Sequence, residues 1–213
     1  MDNRAANLPI YGYNLATQAE FLVTDQSGVK RALVSDGTTL AWIDEGGQGR
    51  QRIQGYIIAT GQVSTILTAT DSNGFGDLAL ADGVLYYQDL SPQRRSFFGY
   101  ELTTRAEWPI TSTALKPVAH DGMLLWSDFS VRGSGPEYIE TWRLYRQALN
   151  TDQPAIVLAE AEGQGGFSGY VVSDYNVVWS FASAMPDQRA HLHQIRSDTT
   201  QAISAGVAFS PVL

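Results

Sequence analysis

The chain has 213 residues, of which 44% are hydrophobic and 17% charged, and it contains no cysteine. This composition is typical of folded proteins and excludes the polar, highly charged disordered class, while the missing cysteines exclude disulfides and thiolate chemistry. The net charge of −8, with no basic run longer than Arg94-Arg95, argues against nucleic-acid binding. The apolar runs are too short for membrane insertion, and the first residues lack the apolar core of a signal peptide.

From the N-terminus, the sequence predicts two strands at residues 11–17 and 20–24, followed by a pattern that occurs four times. Each repeat has a short strand, a tight turn, an apolar strand that ends near an aromatic residue, and two further strands. Asp-Gly between apolar runs is a strong hairpin signal, because Gly accepts the positive φ that the turn requires. The repeats cover residues 31–68, 77–111, 115–159 and 168–204, and their turn aspartates are Asp36, Asp82, Asp121 and Asp174.

Repeats of four antiparallel strands are typical of β-propeller blades. We therefore predict an all-β fold, a five-bladed β-propeller of four-stranded antiparallel blades that forms one domain over residues 1–213. The fifth blade is predicted to be split between the termini and to combine residues 8–24 with 207–213. Residues 1–7 do not supply its second strand, so either this blade is incomplete or the chain is a piece of a longer propeller.

The repeats resemble the TolB-like β-propeller repeats of bacterial secreted and surface proteins. The motifs that carry the resemblance are residues 10–17, residues 99–104, and the Asp-Gly…Trp-x-Asp hairpins that end at Asp44 and Asp128. Tyr87 in place of Trp departs from the pattern, as does Phe181 in place of the last Asp. The resemblance implies binding of a protein or envelope ligand, an extracytoplasmic or cell-surface location and possible further domains in a longer chain. It implies no catalytic residue.

Three aspartates are predicted at strand ends on one face of the blades: Asp44, Asp89 and Asp128. Carboxylates that converge there would suit a hard cation or the acid/base chemistry of a glycoside hydrolase. The alternative is structural, because such aspartates also accept hydrogen bonds from turn amides or pair with nearby arginines such as Arg94.

A polar segment at residues 71–77 places Asp71, Asn73 and Asp77 at spacings similar to those of a calcium loop. It lacks the bidentate Glu and the flanking helices of an EF-hand, so a polar turn is the alternative interpretation. Calcium is the single cofactor considered, and otherwise no cofactor is predicted. The pair His191 and His193 shows no third metal ligand.

Aromatic residues recur at one position of the repeat, in Trp42, Tyr87, Trp126 and Trp179, which predicts that they pack between blades. Trp108 and Trp142 lie outside that register, and Tyr138 lies in an insertion at residues 131–141. These three residues are therefore the aromatic candidates for ligand binding.

The sequence favours a non-catalytic binding or scaffold propeller that recognises a protein or a glycan through its loop face. A propeller glycoside hydrolase and a structural module of a larger surface protein are the alternatives.

Overall fold

The computed structural model describes residues 9–46, 50–111, 114–134, 138–149, 153–163, 165–183 and 190–203. Within these residues the chain is built from strands alone. No helix there has the length and apolarity needed to cross a membrane. The predicted contribution of residues 207–213 to a fifth blade lies outside the described residues.

The chain divides into two compact units, Met1–Ser112 and Thr113–Leu213. Unit 1 contains a two-stranded N-terminal sheet and two four-stranded sheets, and unit 2 contains two further four-stranded sheets. Every sheet is antiparallel, and the strands of each sheet follow one another along the chain.

In unit 1 the N-terminal sheet consists of β1 (Ile10–Asn14) and β2 (Ala19–Thr24). Sheet I consists of β3 (Lys30–Ser35), β4 (Thr39–Asp44), β5 (Arg52–Ile57) and β6 (Gln62–Thr68). Sheet II consists of β7 (Phe75–Ala81), β8 (Val84–Asp89), β9 (Ser96–Glu101) and β10 (Glu107–Thr111).

In unit 2 sheet III consists of β11 (Leu115–His120), β12 (Met123–Arg132), β13 (Ile139–Ala148) and β14 (Ile156–Glu162). Sheet IV consists of β15 (Gly165–Val172), β16 (Asn176–Ser183), β17 (Ala190–Gln194) and β18 (Thr199–Ala202). The four repeats predicted from the sequence are thus confirmed as four-stranded antiparallel sheets.

The predicted Asp-Gly hairpins are confirmed by their backbone conformation. Asp82 and Gly83 have φ of 52° and 74°, and Asp121 and Gly122 have φ of 38° and 71°. Two successive residues with positive φ are the signature of the type I′ turn, whose twist matches that of the flanking strands. The turn at Asp36 is different, because its carboxylate accepts hydrogen bonds from the Thr38 and Thr39 amides at 2.9 and 2.8 Å.

The repeated aromatic residues of the second strands are buried, as predicted. Their exposed fractions are 0% for Trp42, 1% for Tyr87, 4% for Trp126 and 3% for Trp179. Three of them stack on the residue directly opposite on the third strand: Tyr87 on Phe98, Trp126 on Tyr145, and Trp179 on His191, with ring centroids 5.4–5.5 Å apart. The pairs add ring contacts to a core that already buries the rings.

Two predictions about sheet III are wrong. The segment 131–141 was expected to be a loop insertion, but Val131 and Arg132 continue β12, and β13 begins at Ile139. Asp128 was expected to end its strand, but it lies inside β12 for the same reason. The chain instead extends the central hairpin of this sheet by pairing Arg132 with Ile139.

Candidate functional site

The β12–β13 hairpin is longer than the strands that flank it. Both of its strands have ten residues and pair from Met123 opposite Ala148 to Arg132 opposite Ile139. The β11 strand pairs with β12 only as far as Ser127. The distal part of the hairpin therefore extends past β11.

Side chains alternate between the two faces of a strand, so the register fixes which residues share a face. Phe129 lies directly opposite Trp142, and Val131 lies directly opposite Glu140. Tyr138, two residues before Glu140, extends the same row. These five residues form one face of the distal hairpin, which we call the aromatic face.

Glu140 joins the two polar aromatic side chains of this face. Its carboxylate accepts a hydrogen bond from the Tyr138 hydroxyl at 2.8 Å and another from the Trp142 indole N–H at 3.0 Å. Both bonds, with the Tyr138 bond the stronger influence, hold the pKa of Glu140 below its usual range. The bond to Glu140 in turn raises the pKa of Tyr138. Glu140 is thus an ionised acceptor that orients both rings at neutral pH.

Trp142 packs between Phe129 and Gly166. Its ring stacks on Phe129 with centroids 4.8 Å apart. A Cβ on Gly166 would lie 3.3 Å from the indole, so the glycine allows sheet IV to approach the ring closely. The outer residues of the face remain accessible: Phe129 is 40% exposed, Tyr138 41% and Val131 48%. The aromatic face is therefore an exposed apolar surface whose side chains are fixed by their contacts with Glu140 and Trp142.

The opposite face of the hairpin is polar. Arg143 binds Glu160 at 2.7 Å and the Ser130 hydroxyl at 3.3 Å, and Arg132 lies 4.0 Å from Glu162. The distal hairpin is therefore amphipathic, with its exposed apolar residues confined to one side.

The structure brings together two of the three aromatic candidates from the sequence. Tyr138 and Trp142 share the aromatic face, whereas Trp108 lies in unit 1 on β10, 40% exposed and packed over Gly99. Sequence reasoning missed Phe129 and Glu140. The alternation of Phe129, Ser130 and Val131 after Asp128 was the signal that would have extended the strand and revealed both residues.

Two of the three candidate aspartates have structural contacts in unit 1. Asp44 is 5% exposed, and its carboxylate accepts the Gly46 amide at 2.9 Å. Asp89 is also 5% exposed, accepts the Ser91 amide at 2.9 Å and lies 3.6 Å from the Arg94 guanidinium. Each of these two carboxylates caps the turn that follows its strand.

Arg94 also connects Asp89 to a buried phenol. It contacts Glu107 at 2.6 Å, and Glu107 accepts a hydrogen bond from the Tyr87 hydroxyl. Burial, reinforced by this bond, raises the pKa of Tyr87. The cluster explains how Tyr87 replaces the Trp of the repeat: the extra hydroxyl has an acceptor beside it.

Asp128 lies in unit 2, directly opposite Arg143 on β13. It is one of the groups that raise the pKa of Tyr145, after the burial of that phenol. Its surroundings are therefore those of a sheet residue rather than of a strand end.

The predicted calcium segment divides between a turn and a strand. The Asp71 carboxylate accepts the Asn73 amide at 2.9 Å, whereas Asp77 lies within β7. Across the described ranges, no three His, Asp or Glu side chains form a group able to hold a metal ion.

Comparisons with known proteins identify the fold. No protein-family model matches the chain, and no curated protein matches its sequence. Among solved structures, TolB from Acinetobacter baumannii superposes with a TM-score of 0.59 at 10% identity, over 92% of this chain and 49% of that chain. The β-propeller domain of the Trilobed protease from Pyrococcus furiosus gives a TM-score of 0.55 at 11% identity, over 94% of this chain and 75% of that one.

A structure from an analysis of two prolyl endopeptidases gives a TM-score of 0.69 at 13% identity, over 96% of this chain and 31% of that chain. The chain thus spans about half the length of the TolB structure and about a third of the prolyl endopeptidase. Together with the four-stranded antiparallel sheets, these similarities show a β-propeller fold. The resemblance to TolB-like propellers is confirmed at the level of the fold.

Proposed function

We propose that this protein is a non-catalytic binding module and that the aromatic face of the β12–β13 hairpin is its contact surface for a protein ligand. The proposal rests on the contacts that fix the aromatic side chains in place. Glu140 fixes Tyr138 and Trp142, and Phe129 stacks on the fixed indole, while the outer side chains stay accessible.

A protein ligand fits the composition of this surface. Aromatic residues are enriched in the centres of protein interfaces, where they bury large areas with few rotatable bonds. Because the rings are already held in place, binding orders few additional side chains and loses little conformational entropy. Polar groups such as Ser130 and Arg143 on the other side of the hairpin suit a solvated face.

A glycan is the second candidate ligand, because Phe129 and Tyr138 leave ring surface accessible to the C–H groups of a sugar. We do not propose the glycoside hydrolase alternative. Asp44 and Asp89 are both 5% exposed and cap turns by accepting the Gly46 and Ser91 amides, and Asp89 also contacts Arg94, so both carboxylates are engaged with the protein itself.

The test compares variants of the aromatic face with a matched control. Val131→Lys places a charge on the 48% exposed position without removing the Glu140 contacts, and a Phe129→Ser/Tyr138→Ser double variant removes the accessible rings. Tyr175→Ser is the control, because this tyrosine is also in unit 2 and is 49% exposed.

Immobilised chain is exposed to an extract of the cells that produce it and, separately, to a glycan array. We expect one specific ligand that the control retains and both hairpin variants lose by at least about tenfold, or about 1.4 kcal/mol. A protein ligand supports the first candidate and an array glycan the second. Retention of the ligand by correctly folded hairpin variants would disprove the assignment of the face.

The five-blade count and the blade shared between the termini stay predictions, as does the single domain. Because the chain has no cysteine, spin labels can be attached at Asn14→Cys and Ser210→Cys alone. Strands of one sheet are about 4.8 Å apart, so a shared blade gives a short, narrow distance distribution. A broad distribution at long distance would contradict it.

We propose two further properties of the chain. Calcium binding at Asp71, Asn73 and Asp77 predicts a rise in melting temperature with calcium that Asp71→Asn abolishes. An extracytoplasmic location, which the TolB-like resemblance implies, predicts recovery of the natural protein outside the cytoplasmic fraction.

A further inference from the structure

A cleft in unit 1, separate from the aromatic face, lies between sheets I and II. Its volume is about 730 Å³, within the range of about 300–1,000 Å³ that ligand pockets occupy. The apolar lining comes from Ile57 and Ile66 of sheet I, from Ile58 directly after β5, and from Leu102 directly after β9.

The cleft lies where an aromatic ring is absent from one repeat. In the N-terminal sheet, Phe21 is directly opposite Gly12 and covers it, and in sheet II Trp108 covers Gly99 in the same way. In sheet I the residue opposite Gly55 is Ser64. A small hydroxyl thus stands opposite the glycine in place of a ring, and the end of Ile66 covers Gly55, 2.8 Å from the position of an added Cβ. Gly55, Ser64 and Ile66 all line the cleft.

The backbone groups of the central strands around the cleft are already paired. The β5 strand lies between β4 and β6, and β9 lies between β8 and β10. The Ile58 amide donates to the Thr38 carbonyl and the Leu102 amide to the Gly83 carbonyl, both at 2.9 Å. The β6 strand, which supplies Ser64 and Ile66 to the lining, is an edge strand of sheet I, and its outer ladder is the open one beside the cleft.

A charged side chain lines the cleft, and the Asp36 carboxylate beside it is engaged by the amides of the lining residues Thr38, Thr39 and Gly83. Among the described residues that line it, Arg105 alone is charged, and the described part of the chain pairs no carboxylate with its guanidinium. In a chain with a net charge of −8, an exposed and uncompensated cation beside an apolar wall favours an anionic group on an apolar ligand. The planar guanidinium fork can pair with a carboxylate through two parallel hydrogen bonds.

We propose that this cleft binds a small apolar carboxylic acid, with the hydrocarbon part against Ile57, Ile66 and Leu102 and the carboxylate on Arg105. The small Ser64 side chain, with Ile66 covering Gly55 in place of a ring, leaves room for the hydrocarbon part, and Arg105 provides the selectivity for the acid.

Isothermal titration calorimetry of the full chain with decanoate, 1-decanol and decyltrimethylammonium tests the proposal. Decanoate should bind most tightly. Arg105→Gln should weaken decanoate binding by about tenfold and leave the alcohol unchanged. Arg95→Gln, at an exposed arginine of the same unit that does not line the cleft, should change neither.

Ser64→Trp, which restores the ring found at Trp108, should abolish binding of the acid and of the alcohol. If circular dichroism shows that this variant does not fold, Thr103→Trp at the exposed lip provides the same block. Absence of decanoate binding at millimolar concentration would overturn the proposal. So would equal affinity for alcohol and acid, an unchanged Arg105→Gln variant, or undiminished binding by a folded blocked variant.

Discussion

In both units a side chain links the first strands of adjacent sheets. In unit 1 this side chain belongs to the earlier sheet, and in unit 2 it belongs to the later sheet. In unit 1, Arg31 on β3 donates to the Phe75 carbonyl at 2.6 Å and to the Gly76 carbonyl at 3.4 Å on the following sheet. In unit 2, Tyr170 on β15 reaches back to β11 and donates to the Leu115 carbonyl at 2.7 Å.

Both joints lie at irregularities of the first strand. The register shifts between Phe75 and Leu78 and between Leu115 and Val118. Such bulges remove backbone groups from the ladder, and those groups then need other partners. In each unit the bulge leaves backbone carbonyls that need a hydrogen-bond donor. The donor is an arginine in unit 1 and a tyrosine in unit 2.

The largest effect is expected at the buried joint. Tyr170 is 5% exposed, and its hydroxyl also accepts the Ser127 amide at 3.1 Å. Tyr170→Phe leaves the amide of the buried Ser127 without that partner, at about 1–3 kcal/mol, whereas the Leu115 carbonyl keeps the Ser127 hydroxyl at 3.4 Å. Chemical denaturation should show the loss, and Tyr175→Phe at a 49% exposed tyrosine should not. Equal midpoints for the two variants would show that the joint is unimportant.

A second difference between the units concerns the third strand. Unit 1 has Gly99 beneath the Trp108 ring, and the corresponding position of sheet III, opposite Leu125, holds Arg146. A Cβ on Gly99 would lie 2.6 Å from the indole, so Gly99→Ala should destabilise the chain by about 1–3 kcal/mol through overpacking. Thermal melting measures the change.

Gly55→Ala is the internal control for that prediction. Its Cβ would meet the mobile end of Ile66 at 2.8 Å, which can move more easily than an indole. A Gly55→Ala loss as large as the Gly99→Ala loss would mean that both glycines are required by the backbone and not by the covering side chain.

The exposed joint should matter less than the buried one. The Arg31 side chain is 36% exposed, so water can replace much of its contact with the carbonyls. Arg31→Met keeps the apolar stem but also removes the contacts with Glu45 and Gln51. It should cost about 1–2 kcal/mol, because partly exposed hydrogen bonds and ion pairs each contribute about 1 kcal/mol or less. A cost above that of Tyr170→Phe, measured by denaturation, would reverse the ranking of the two joints.

The smallest effect is a pH dependence in unit 2. Burial lowers the pKa of His193 and the neighbouring Arg146 lowers it further, although Asp198 opposes them. The unfolded chain therefore binds more protons at this site as the pH falls below about 6.5. Stability should fall through that window and stop falling below the native pKa. His193→Gln should flatten the slope of unfolding free energy between pH 7.5 and 5.5, and an unchanged slope would contradict the assignment.

The sequence was sufficient to predict the four sheets because their signals are local. Asp82-Gly83 and Asp121-Gly122 specify turns of one type, and the recurring Trp or Tyr marks the second strand. The aromatic face was harder to predict, because the contact of Glu140 with Tyr138 and Trp142 depends on the register of an extended hairpin. The bulge partners Arg31 and Tyr170 were not predictable, since each meets a backbone group of another sheet.

The central claim, that the aromatic face of the hairpin binds a protein ligand, is tested most directly by site-specific photo-cross-linking. A photoreactive phenylalanine analogue replaces Val131 or, as control, Leu33, which is 53% exposed in unit 1. In an extract of the producing cells, position 131 should cross-link to one protein ligand and position 33 should not. Cross-linking of that ligand from position 33 but not from position 131 would contradict the claim.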